Sequence, residues 1–224
     1  MLPDKQLYLR PTYFVDSDHN AVIDYAQKHS SQKQSDVENA VQLYNAIRDD
    51  FKYDPYRLDF RPQGLKASDM LTRDYGHCVS KALLLAAAAR TVNIPSRLAF
   101  FNVKNHIATE RIESFLKTNE LVFHGCTELF LEGRWVKATP AFNAALCVRL
   151  NVETLDFNGR EDSIFQQYDK SGKVFMHYTH EYGSFHDLPY DLMMSQLRKH
   201  YGFLLTDETL AKTGLMIDLT KLVN

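Results

Sequence analysis

No stretch of this 224-residue chain is long and apolar enough to span a bilayer: the longest uninterrupted apolar run, Ala82 to Ala89, falls far short of the roughly 20 residues required. An excess of charge is also missing. Twenty-six Lys and Arg stand against 28 Asp and Glu, a formal net charge of −2, so there is no general attraction for nucleic acid or an anionic membrane surface, and neither is expected as a partner. Cysteine is scarce. Cys78, Cys126 and Cys147 form no close pairing pattern, which argues against a disulfide scaffold and fits a reducing compartment. The opening residues, Met1-Leu2-Pro3-Asp4-Lys5, lack a basic head followed by an apolar stretch, so a secretory signal is not predicted and a cytoplasmic address is the expectation. Repeats, low-complexity tracts and Pro/Gly/Ser-rich linkers are likewise not visible, and a single domain over 1–224 is expected.

What is present is an ordinary globular composition, 45% hydrophobic and 24% charged, arranged as helices first and strands later. After an irregular arm of 17 residues, Ala21, Val22, Tyr25 and Ala26 mark a short helix. Val37, Ala40, Val41, Tyr44, Ile47 and Phe51 mark a stronger one, capped by Ser35 and ending near Tyr53 before Pro55. A loop over 54–67 leads to a short capped helix at 68–73, which Gly76 terminates. From Cys78 to about 91 only Ser80, Lys81 and Arg90 are clearly polar, so this helix is predicted to be covered on nearly every side. From Ser96 the period predicts a strand to about Val103, with another expected over Ile107 to Ile112. Residues 120–131 and 134–138, separated by Glu132-Gly133, read as a hairpin. Beyond 144 the pattern gives a short helix near 143–149, irregular chain to 188, a helix near 189–201 and a last helical segment after Thr206. The order is α+β.

Cys78 carries the strongest chemical signal. A thiol in the first turn of a buried helix faces unpaired backbone N–H groups and the positive end of the helix dipole, which favours thiolate. His124 lies on the strand-like segment Phe123-His124-Gly125-Cys126. Its imidazole is suited to take a proton from the thiol and return it to a leaving group near neutral pH. Together they predict a Cys/His acyl-transfer centre, with a central helix bearing Cys78 laid on an antiparallel sheet bearing His124.

The run Gly76-x-Cys78 with its Ala-rich helix, Arg90-x-x-x-Ile94-Pro95-x-Arg97, His124 before a strand, Trp135-Val136 and Pro140 resembles the transglutaminase-like superfamily over about residues 36–143. Cys78-x-x-Lys81-Ala82, Asn105-His106 and Lys137-Ala138-Thr139-Pro140-Ala141-Phe142-Asn143 are similar to a bacterial branch of it. The resemblance implies a papain-like core, with residues 1–35 as an N-terminal arm and helix and 144–224 as a C-terminal extension. It also places Cys78 as nucleophile and His124 as general base and acid. The superfamily's third position, commonly an aspartate before proline, falls on Thr139; Asn143 and Asp162 are the alternatives. Papain-like enzymes run with a neutral asparagine there, so a threonine is compatible with activity. The implied reaction is hydrolysis of an amide or peptide bond through an acyl-enzyme, on a peptide, protein or small amide. The alternatives are an amine-accepting transglutaminase and an inactive binding module that retains the fold.

His106, in a polar turn, and Trp135 are the candidates for the substrate side, Trp135 with the competing role of sheet anchor. Cys126 shares a strand face with His124 but lacks a helix dipole, and Cys147 reads as core. His177, His180 and His186 lack partners at metal-ligand spacing, so no metal and no cofactor are expected. Lys81 reads as a cap on the exposed side of the first helical turn, where a cation would also help to keep the thiolate. Oligomeric state leaves no mark on the sequence.

Overall fold

The computed structural model describes residues 5–106, 110–165 and 169–221. Two helices, α1 (Asn20–Lys28) and α2 (Asp36–Asp50), are followed by short strands β1 (Lys52–Tyr53) and β2 (Arg57–Asp59), helix α3 (Ala67–Met70) and strand β3 (Tyr75–Gly76). The buried helix α4 (Cys78–Thr91) comes next, then β4 (Ser96–Asn105), α5 (Glu110–Leu116), β5 (Glu120–Leu131), β6 (Arg134–Ala138) and α6 (Ala144–Leu150). Strand β7 (Met176–Phe185), helices α7 (Tyr190–Tyr201) and α8 (Asp207–Thr213), and β8 (Met216–Asp218) complete the described elements. None of these helices is long and apolar enough to cross a membrane.

The main sheet is antiparallel with strand order β6-β5-β4-β7. Helix α4 packs on β5, while α1, α2 and α3 cover its other sides. Residues Val79 to Arg90 are therefore buried without a break. This is the expected α+β arrangement of a central helix on a sheet.

Even the polar positions of α4 are buried, and each has a structural reason. Lys81 Nζ donates to the carbonyls of Arg48 (2.8 Å), Phe51 (2.8 Å) and Ala141 (2.9 Å). Two of these lie at the end of α2, where carbonyls have no intrahelical donor and the dipole is negative. Burial pulls the Lys81 amine down to about 7, against the opposing pull of the Asp49 carboxylate, and below that pH an ammonium supplies all three N–H groups. At the other end, the Arg90 guanidinium donates to the carbonyls of Arg10 (2.7 Å), Ser96 (2.9 Å) and His186 (2.5 Å). It thereby ties the N-terminal arm, β4 and the C-terminal extension to one helix end.

Three expectations differ from the structure. Residues 110–112 open helix α5 rather than continue a strand, while 107–109 lie outside the described residues. Ile112, Phe115 and Leu116 have the i, i+3, i+4 spacing of a helix, which extends past the short apolar window. Second, the extension is not irregular to 188, because β7 adds the fourth strand. It is an edge strand whose side chains, Met176 apart, remain at least partly exposed, so it lacks the alternating apolar signal. Third, the 54–67 loop contains β2, which pairs with β8 near the chain's end, Leu58 opposite Ile217. A pairing of three residues across such a separation leaves no local trace.

Candidate active site

Cys78 opens α4, and its thiol is half-buried. The backbone N–H of the preceding residue, His77, is capped by Ser80 Oγ (3.0 Å), which also donates to the His77 carbonyl (3.1 Å). The chain enters the helix through the parallel pair β1–β3, Tyr53 opposite Gly76. A Cβ at Gly76 would press on the terminal methyl of Met70 and on Ser80 Oγ, at 2.8 and 2.9 Å, so glycine eases this approach.

His124 reaches the thiol because β5 is irregular at that point. Between the pairs Phe101–His124 and Val103–Leu121, two β5 residues, Val122 and Phe123, oppose the single residue Asn102. The extra residue makes a bulge, and Phe123 takes the left-handed conformation, φ 61°. Asn102 Oδ1 accepts the Phe123 N–H (3.1 Å) and the Tyr182 hydroxyl (2.9 Å), which holds the kink in place. One residue further on, Gly125 lets β5 lie directly on the first turn of α4.

The result is a buried imidazole within hydrogen-bonding reach of the Cys78 sulfur, with His77 as a second partner. Burial pushes the thiol up. The His124 imidazole, through charge and hydrogen bond, and then His77 more than offset this and hold Cys78 well below the ordinary thiol range. The Cys126 thiol, packed in the core with no imidazole to offset its burial, is pushed up to about 12, by burial first and against a hydrogen bond to Thr139. Tyr53 is raised above the usual phenol range, by burial first and by proximity to Cys78 second.

His124 Nδ1 is buried without a hydrogen-bond partner, Thr139 Oγ1 is buried beside the Cys126 thiol and makes no hydrogen bond to the ring, and both residues line one small cavity of about 230 Å³. The alternatives for the third position are engaged elsewhere. Asn143 Oδ1 accepts the Tyr53 N–H (3.0 Å), and Asp162 Oδ1 accepts the Lys137 N–H (2.8 Å) from an exposed position. Thr139 is thus the candidate whose side chain shares a cavity with the ring.

The two substrate-side candidates lie apart from Cys78 and His124. Trp135 packs edge-on against Tyr8 and Phe130, with the Arg97 guanidinium over its ring at 4.2 Å. His106 meets His177, Nε2 to Nδ1 at 2.8 Å. Among the described residues no group of His, Cys, Asp and Glu is placed to hold a metal ion. Cys147 is buried in the core, as its neighbours in the sequence imply.

A cavity of about 890 Å³, measured out to its mouth, opens beside Cys78 and His124. Val79, Phe115 and Phe123 line it from the core elements, and Met193, Leu197 and Tyr201 from one face of α7. Neither Tyr201 nor Gly125 stands out in the sequence as a site residue. The one is an ordinary helical tyrosine until the tail is folded back; the other carries a signal only in its place beside the histidine.

A helix-borne thiol meeting a sheet-borne imidazole within one helix-on-sheet core defines the papain-like α+β class. The sequence profile of the transglutaminase-like superfamily matches residues 23–140, more than half of the chain, and the chain belongs to that superfamily. A crystal structure of a putative cysteine protease from Cytophaga hutchinsonii shares the fold, with a TM-score of 0.50 at 16% sequence identity. The match covers 82% of this chain and 55% of that one, so the chain spans little more than half the length of that protein. No curated protein matches the chain.

Proposed function

We propose that the protein is a thiol-dependent acyl-transfer enzyme that hydrolyses an amide or peptide bond through a Cys78 acyl-enzyme. The observation that carries this reading is the placement of the buried His124 imidazole and the Cys78 thiol on one cavity wall, with the thiol held well below its ordinary range by the imidazole. The Cys78 sulfur attacks the carbonyl carbon, and the oxyanion takes a hydrogen bond from the Cys78 backbone N–H at the open end of α4. His124 gives a proton to the departing nitrogen as the C–N bond breaks. It then takes one from water, which attacks the thioester, releases the acid and restores the thiol.

Thr139 is assigned as the group that orients the ring through Nδ1. A cysteine site that already holds a thiolate–imidazolium pair tolerates a neutral third partner better than a serine site does. Thr139→Ala is expected to lower turnover about tenfold while Thr139→Asp retains or raises it; equal turnover in all three proteins overturns the assignment.

Incubation with a glutamine peptide and a primary amine, followed by mass spectrometry, separates the reactions. Deamidation or cleavage supports hydrolysis, and a cross-linked product identifies an amine acceptor. Alkylation of Cys78 no faster than that of a free thiol, and unchanged in His124→Ala, would identify a non-catalytic module instead.

A further inference from the structure

We propose that the apolar cavity beside Cys78 is the acyl subsite and takes an aliphatic chain, so that the substrate is the amide of an aliphatic acid. This rests on the acyl-enzyme reading above and adds what lies on the carbonyl's carbon side.

Chemistry of the wall comes first. No Lys, Arg, Asp or Glu is among the described residues that line the cavity, whose surface is dominated by side chains such as Leu58, Phe60, Phe115, Met193 and Leu197. Its histidines and thiol, His77, Cys78 and His124, are grouped together, Tyr53 lies close enough to Cys78 to be raised by it, and Tyr56 and Tyr201 are the other polar side chains of the described lining. The Tyr201 hydroxyl is already engaged, donating to the Glu120 carbonyl (2.6 Å) and accepting the Val122 N–H (2.8 Å).

That tyrosine also argues against a peptide as the occupant. An extended peptide is commonly held by pairing its backbone with a free strand edge. Here one side chain closes off the Glu120 carbonyl and the Val122 N–H, four and two residues before His124 on β5. On the facing wall, β2 is paired with β8, the Leu219 N–H donates to the Tyr56 carbonyl (2.9 Å), and the Phe60 carbonyl accepts the Tyr190 hydroxyl (2.9 Å). A ligand without backbone polar groups loses nothing on such walls, whereas a peptide would bury unpaired N–H and C=O groups.

The reaction is that of the preceding section with this donor: the Cys78 sulfur bonds to the acyl carbon, the amine leaves with a proton from His124, and water releases the aliphatic acid.

Binding of butanamide, hexanamide and octanamide to Cys78→Ala, measured calorimetrically, reads the cavity without chemistry. Affinity is expected to rise roughly fourfold per added methylene, and Leu197→Trp, shown to be folded by its thermal transition, should flatten the series. Alkylation of the unaltered protein by 1-chloro-2-decanone should outpace chloroacetone by more than about 10²-fold. Flat affinities, or N-acetyl-leucinamide binding tenfold tighter than octanamide, overturn the proposal. Slow chloroacetone labelling that ignores His124→Ala, with amide affinities still climbing, overturns the catalytic reading and leaves the aliphatic chain site standing.

Discussion

A Cβ added to Gly125 would lie 2.9 Å from the Val79 Cα and 3.3 Å from the Cys78 carbonyl oxygen. The strand that carries the imidazole therefore touches the backbone of the helix that carries the thiol, with no side chain between them. Backbone cannot swing aside as a side chain can. Gly125→Ala is expected to separate His124 from Cys78 and to lower the rate of Cys78 alkylation at pH 6 by about 10²-fold. The fold should survive, as read by circular dichroism. An unchanged rate would show that this approach does not set the contact.

The depressed Cys78 ionisation sets a pH signature. Because the folded thiol ionises well below its ordinary range, the thiolate persists as pH falls through that range and is lost only at the lower, shifted value. Iodoacetamide labelling of Cys78 should therefore be nearly as fast at pH 7 as at pH 9, whereas an unperturbed thiol slows by more than tenfold over that interval. In His124→Ala the profile should move toward higher pH.

Lys81→Met removes three donors from three buried carbonyls. Each unsatisfied carbonyl costs on the order of 1–3 kcal/mol, so a loss of about 3 kcal/mol or more is expected in urea unfolding at pH 6. A loss below 1 kcal/mol would mean that α2 and the Ala141 segment find other donors.

The β5 bulge depends on Asn102. Asn102→Leu strips the acceptor from the Phe123 N–H and the Tyr182 hydroxyl, and should destabilise the protein by about 2 kcal/mol while slowing Cys78 labelling. Asn102→Asp keeps the oxygen and should recover most of the labelling rate; failure to do so would remove the bulge from the account of how His124 is aimed.

Helix α4 and the β5–β6 hairpin were legible in the sequence because each is written locally, in composition, period and turn residues. The long apolar run of α4 needs cover whatever provides it. Other features depend on partners far along the chain. Lys81 has acceptors from α2 and from the segment after β6, and Tyr201 closes β5 from about 80 residues away. The edge strand β7 shows little alternation because its side chains, Met176 apart, stay at least partly exposed on both faces. The bulge is carried by a phenylalanine rather than a glycine, so its left-handed turn has no sequence mark.

The cavity wall at Met193, Leu197 and Tyr201 belongs to α7, beyond the stretch 23–140 that defines the superfamily. The cavity is thus walled from both lengths of polypeptide, by Leu58, Phe60, Phe115 and Phe123 from within that stretch and by α7 from beyond it. Substitutions in α7 therefore reshape one side of the cavity without changing the residues of the segments that carry the sulfur and the imidazole.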